Sequence, residues 1–148
     1  MTLVNRRGLL GTGSAMLALA AFANKTALAA GSPGLTTHVL DTANGKPGEG
    51  VRIDFSGFDG SAYKLIKTVH TNADGRNAEP LLTPDNMKAG KYELVFYIGE
   101  YFTKLGTQLP NPPFLEKAII QFGMADAAAH YHVPILVSPW SYTTYRGS

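Results

Sequence analysis

Short stretches of alternating or β-rich sequence dominate the chain from residue 36 onward. Residues 51–55, Val-Arg-Ile-Asp-Phe, alternate apolar with charged side chains, which is the period-two pattern of a half-buried strand. Six further stretches are rich in β-forming residues, and turn signals such as Asn72-Ala73-Asp74-Gly75 interrupt them. The predicted strands cover residues 36–40, 51–55, 65–71, 90–98, 114–122, 130–137 and 141–145.

One stretch departs from this alternation and predicts a helix. Residues 100–105, Glu-Tyr-Phe-Thr-Lys-Leu, lack a period of two and end at Gly106, so we expect one or two helical turns there. Residues 78–82 add a short extended piece. Seven or eight short strands with one short helix predict an all-β fold, an antiparallel β-sandwich. A closed barrel is the alternative, because periodicity does not separate the two.

The first 29 residues predict an export signal rather than part of the fold. Arg6-Arg7 precedes an apolar run rich in Ala and Gly, and Ala27-Leu28-Ala29 is a small-residue cleavage site. The arginine pair favours the twin-arginine route, with the general secretory route as the alternative. We therefore expect cleavage after Ala29, a single domain over residues 30–148 and a periplasmic protein that leaves no membrane anchor.

Charge and cysteine content exclude several function classes. The chain has 13 basic and 11 acidic residues, and removal of Arg6, Arg7 and Lys25 with the signal leaves 10 basic residues in a nearly neutral domain. A nucleic-acid binder needs a concentrated basic face, so we expect no nucleic-acid partner. The chain has no cysteine, which excludes disulfides, thiolate metal sites and thiol nucleophiles.

Four histidines and one arginine are the candidates for chemistry. By alternation, His38 shares a strand face with Thr36 and Leu40, while His70 sits beside a turn and is expected at the surface. Arg76 follows the Asp74-Gly75 turn, where it is either a solvated loop residue or, if it faces inward, a donor to an anionic or carbonyl-rich ligand.

His130 and His132 are two apart, so both point to the same side of one strand. Such a pair with a further histidine could hold a metal ion, although no carboxylate stands near them in the sequence. Metal binding therefore stays open as a minor alternative. From these residues alone, the prediction ends at an exported β-sandwich with a possible His/Arg site.

Four motifs taken together resemble a known family. They are Thr37-His38-Val39-Leu40-Asp41, Asp74-Gly75-Arg76, the run Tyr-His-Val-Pro-Ile-Leu-Val-Ser-Pro over residues 131–139, and the terminal Tyr145-Arg146-Gly147-Ser148. In this order and spacing they resemble the 5-hydroxyisourate hydrolases, the transthyretin-related enzymes of urate breakdown. The resemblance covers residues 35–148.

This resemblance implies a transthyretin-like sandwich, assembled as a homotetramer with active sites in the channel between dimers. It implies hydrolysis of 5-hydroxyisourate to 2-oxo-4-hydroxy-4-carboxy-5-ureidoimidazoline without a cofactor or metal. The catalytic residues it implies are His38, Arg76, His132 and Ser148, and the substrate-binding residues are His38, Arg76 and Tyr145. His130 matches no family position with a role. The alternative is a periplasmic transthyretin-like protein that binds a small ligand without turning it over.

Overall fold

A computed structural model describes residues 31–147, so the predicted signal over residues 1–29 and the terminal Ser148 lie outside the described residues. Within this range the chain forms short strands, one α-helix and one 3₁₀ turn, Pro84–Asn86. The strands are β1 Gly34–Asp41, β2 Lys46–Pro47, β3 Arg52–Phe58, β4 Tyr63–His70, β5 Gly90–Phe96, β6 Ala118–Met124, β7 His130–Val137 and β8 Tyr142–Thr144, and the helix is α1 Ile98–Lys104.

The strands form two four-stranded sheets, in the orders β2-β1-β7-β8 and β4-β3-β5-β6. This arrangement confirms the predicted β-sandwich. Neighbouring strands are antiparallel except β1 and β7, which run parallel from Gly34 opposite His130 to Asp41 opposite Val137. The two strands are far apart in the chain, so no tight turn forces them into opposite directions.

The core lies between the two sheets and follows the alternation of the strands. In β1, Leu35, Thr37 and Val39 are buried, whereas Thr36 and His38 are only half-buried on the opposite face. The largest fully buried side chains come from both sheets and from α1, and they include Phe55, Phe96, Phe102, Leu94 and Ile135. Each such side chain stabilises the fold by about 1.5–3 kcal/mol. The outer face of β1 is thereby left available for polar groups.

Several element boundaries differ from the sequence prediction, and two of the differences have a bearing on the local structure. The helix spans Ile98–Lys104, two residues earlier at its start than predicted, and β6 begins at Ala118 rather than residue 114. Pro112 and Pro113 just before that point carry no backbone N–H to donate, which disfavours strand pairing immediately around them. In the described part of the chain, no helix is long and apolar enough to cross a membrane.

A buried carboxylate connects β1 to α1. Asp41 is 1% exposed, and its carboxylate accepts hydrogen bonds from the Tyr101 hydroxyl at 2.9 Å and from the Asn44 backbone and side-chain nitrogens at 2.9 and 2.7 Å. These three bonds offset the cost of burying the charge. Burial, together with the bond to Asp41, raises the pKa of Tyr101 well above its ordinary value. The helix is therefore tied to the end of the strand that carries His38.

Candidate active site

The outer face of β1 and β7 carries a cluster of polar side chains. Thr36 lies opposite His132 in the parallel register, and its hydroxyl oxygen is 2.8 Å from Nδ1 of His132. The same oxygen is 3.5 Å from Nε2 of His130. The prediction that His130 and His132 point to one side of their strand is therefore confirmed.

The turn before Arg76 docks directly on β1. The Asn72 side-chain oxygen accepts the backbone N–H groups of Asp74 and Arg76, and the Val39 backbone N–H donates to the Gly75 carbonyl at 2.8 Å. Gly75 has φ +72°, and a Cβ atom there would overlap the Val39 carbonyl oxygen, so a glycine is needed. This docking pairs the backbones of His38 and Arg76.

Arg76 acts electrostatically on both histidines. Burial lowers the pKa of His38, and the Arg76 charge lowers it further, while Asp74 opposes the shift. Burial likewise lowers the pKa of His132, with Arg76, His38 and His130 adding to the effect and a hydrogen bond to the Thr36 backbone opposing it. Since the ordinary value is 6.5, the lowered pKa values favour the neutral form of both imidazoles at pH 7. The structure thus brings His38, Arg76 and His132 together.

The end of the chain packs against His132. The Gly147 backbone N–H donates to the His132 carbonyl at 2.8 Å, and a Cβ atom at residue 147 would lie 2.7 Å from Cδ2 of the imidazole. The Arg146 guanidinium carbon is 5.0 Å from the centre of the Tyr131 ring, a cation–π distance. Tyr145 is exposed. Residues 145–147 therefore run beside the histidine cluster, and the predicted role of Ser148 falls outside the described residues.

Two residues without a predicted role belong to this cluster by position. Thr36 was recognisable only as a neighbour on the His38 face, because its contact with His132 depends on a register between distant strands. His130 lies on the other side of the Thr36 hydroxyl. Within residues 31–147, Nδ1 of His130 and Nε2 of His38 are buried and have no hydrogen-bond partner.

His70 is exposed at the end of β4, in the other sheet, as predicted. Among the described residues, no group of three or more His, Asp or Glu side chains is arranged to hold a metal ion.

The arrangement suits acid–base chemistry on a polar small molecule. Two neutral imidazoles can accept and donate protons near pH 7. The exposed Arg76 guanidinium, whose charge acts on both imidazoles, can bind oxygen atoms and stabilise negative charge that develops on them.

Comparison with known proteins identifies the family. The model of the HIUase/Transthyretin family matches residues 35–147, nearly all of the described chain. The chain belongs to the HIUase/transthyretin family. Within this family it is similar to 5-hydroxyisourate hydrolase 2 of Rhizobium meliloti, with 55% identity over 77% of this chain and 95% of the relative.

Solved structures of the family share the fold. The chain is similar to (S)-allantoin synthase, with 44% identity and a TM-score of 0.73 over 79% of this chain, but it spans only 44% of that longer protein. It is similar to Klebsiella pneumoniae 5-hydroxyisourate hydrolase, with 34% identity and a TM-score of 0.63 over 77% of this chain and 98% of that one. Sea bream transthyretin, solved with thyroxine, has 30% identity and a TM-score of 0.68 over 76% and 93% of the two chains.

Proposed function

We propose that this protein hydrolyses 5-hydroxyisourate to 2-oxo-4-hydroxy-4-carboxy-5-ureidoimidazoline. The observation that carries the proposal is that Arg76, on the turn that pairs with His38, acts on both His38 and His132 on the outer face of β1 and β7, beside residues 145–147. It is supported by 55% identity to a Rhizobium meliloti protein named 5-hydroxyisourate hydrolase 2, over nearly the full length of that relative.

The proposed reaction opens the six-membered ring of an oxidised purine at its cyclic amide. The oxygen of a water molecule bonds to the amide carbonyl carbon, a general base takes a proton from that water, and the carbon–nitrogen bond breaks. The departing nitrogen receives a proton, so the product differs from the substrate by one water molecule. General acid–base assistance of this kind contributes about 10²–10⁴-fold to a rate.

The side chains have the following proposed roles. His38 and His132 carry out the proton transfer: one imidazole, whose lowered pKa favours the neutral form at pH 7, takes the proton from water, and the other assists its transfer to the departing nitrogen. Arg76 binds the substrate oxygens and stabilises the charge that develops on the attacked carbonyl. Tyr145 flanks the flat ring, and its exposure leaves it free to do so. Ser148, which lies outside the described residues, is the fourth proposed catalytic residue, as the family resemblance implies.

Product analysis tests this proposal. Freshly generated 5-hydroxyisourate should disappear faster with the protein than without it, and the early product should be heavier by one water. Arg76→Lys should lower kcat/KM although it keeps the positive charge, because lysine lacks the planar guanidinium group whose N–H donors can form two hydrogen bonds at once. A folded protein that leaves the substrate to decay at its spontaneous rate would contradict the proposal.

A ligand carrier is the second candidate function, because sea bream transthyretin, with 30% identity to this chain, is solved with thyroxine. Such a carrier would bind an aromatic small molecule without turning it over. Calorimetric titration with a stable urate-like compound separates the two functions when it is combined with the turnover assay. Saturable binding without accelerated decay would favour the carrier.

We also propose that the protein assembles as a homotetramer with sites in the channel between dimers. β6 and β8 lie at sheet edges, where backbone groups are unpaired, and their exposed side chains include Ile119 and Tyr142. Light scattering of the purified domain should give four times the monomer mass. A monomer at micromolar concentration would contradict the assembly.

The proposed location is the periplasm, reached by the twin-arginine route. Arg6-Arg7 before an apolar run and the Ala27-Leu28-Ala29 cleavage site support it. Replacing both arginines by lysine should retain the protein in the cytoplasmic fraction of a bacterial host. Unchanged export of that variant would instead favour the general secretory route.

A further inference from the structure

The Thr36 hydroxyl is a polar group of the cluster that the proposed mechanism does not use. It lies between two imidazoles, 2.8 Å from Nδ1 of His132 and 3.5 Å from Nε2 of His130. A hydroxyl can accept and donate at once. It can therefore control which ring nitrogen of His132 carries the proton.

The His132 ring is held on two sides. Thr36 contacts Nδ1, and the Gly147 backbone approaches the Cδ2 edge, where an added Cβ would come within 2.7 Å. Within residues 31–147, Nε2 has no hydrogen-bond partner, and it is not among the buried unpaired atoms. Nε2 is thus the ring nitrogen that remains for a bound molecule.

We propose that Thr36 is a positioning residue that holds neutral His132 with its proton on Nδ1, so that the lone pair of Nε2 faces the substrate. In this arrangement Nδ1–H donates to the Thr36 hydroxyl oxygen, and that hydroxyl can give its own proton to Nε2 of His130.

This tautomer determines what His132 can do. A general base needs a lone pair directed at the proton that it removes, and Nε2 has one only if the ring proton is on Nδ1. The inference rests on the proposed hydrolase function for its catalytic meaning. It also assigns the base role to His132, so that His38 would assist the transfer of the abstracted proton to the departing nitrogen.

Nitrogen NMR of protein labelled with ¹⁵N-histidine tests the tautomer without any substrate. At pH 7.5, His132, assigned by comparison with H132N, should show a protonated Nδ1 and an unprotonated Nε2. T36V, which keeps the side-chain shape but removes the hydroxyl, should lose this preference, and T36S should keep it. A protonated Nε2 in the wild type, or an unchanged tautomer in T36V, would overturn the inference.

Kinetics of the same variants test the catalytic consequence. T36V should lower kcat about 10-fold with KM nearly unchanged, and T36S should recover kcat to within about threefold of wild type, magnitudes typical of one hydrogen bond. T37V is the matched control, because the Thr37 hydroxyl donates to the Val133 carbonyl in the core, and its loss should lower stability without changing the His132 tautomer. An unchanged kcat in T36V would also overturn the inference.

The two measurements keep this inference separate from the proposed function. If no variant and no wild-type sample hydrolyses 5-hydroxyisourate, the hydrolase proposal fails, and with it the catalytic meaning of the tautomer. If the wild type hydrolyses the substrate but carries its proton on Nε2, the hydrolase proposal stands and the positioning role of Thr36 is wrong.

Discussion

At the scale of single residues, the proposed function depends on keeping two histidines neutral. Burial and the Arg76 charge both lower the pKa of His38 and of His132 below 6.5. Protonation of either ring would remove a base or change a hydrogen bond, so acid should inactivate the protein. We expect the acid limb of kcat/KM to have its midpoint below pH 6.5, the ordinary value for histidine. A midpoint above pH 6.5 would contradict this account.

Arg76→Ala gives a direct test of the electrostatic part of this account. The Arg76 charge is one cause of the lowered pKa of His38 and of His132. Without the guanidinium, both pKa values should therefore rise toward 6.5. Titration of the histidine ring protons by NMR measures the shift independently of turnover. His70, which is exposed in the other sheet, is the internal control, and its ring-proton signals at a fixed pH should be the same in the variant and the wild type.

A third prediction at the scale of residues concerns the contact between Gly147 and His132. In Gly147→Ala the new Cβ would lie 2.7 Å from Cδ2 of the imidazole, so either the tail or the ring must move. We expect kcat/KM to fall at least about 10-fold, since small displacements of reacting groups are costly, while the melting temperature stays nearly constant. Gly123→Ala is the matched control, because a Cβ there meets nothing within 4 Å. Equal activity of the two variants would remove Gly147 from the site.

At the scale of elements, alternation was enough to predict which side chains share a face. Thr36 and His38 lie on the outer face of β1, and His130 and His132 lie together on β7, as the period of two indicates. The pairing of these strands was not predictable, because Thr36 and His132 are 96 residues apart and no local turn sets their register. The contact between them, and hence the proposed role of Thr36, required the folded structure.

The link between α1 and β1 supports a prediction about stability. Tyr101→Phe removes one of the three hydrogen bonds to the buried Asp41 carboxylate. Leaving a buried charge less well paired should lower the free energy of unfolding by about 1–3 kcal/mol. Urea denaturation measures this change, with Tyr63→Phe as a control at a half-buried tyrosine on β4. A loss no greater than that of the control would show that the Asp41–Tyr101 bond contributes little.

At the scale of the whole molecule, the sandwich positions the site between a turn, two strands and the end of the chain. The motifs that resemble the family lie on these same segments, and this is why the sequence alone predicted His38, Arg76 and His132 as site residues. Removal of residues 145–148 should abolish turnover, because it removes the segment that packs on His132, while circular dichroism and light scattering should match the wild type. Full activity of the truncated protein would exclude the tail from the site.

The most direct test of the central claim is the decay of freshly generated 5-hydroxyisourate, followed by its ultraviolet absorbance. The wild-type protein should accelerate the decay strongly, His70→Ala should do so equally, and His132→Ala should leave it near the rate without protein. Equal acceleration by the wild type and His132→Ala would contradict the proposed site, and no acceleration by any correctly folded sample would contradict the proposed hydrolase.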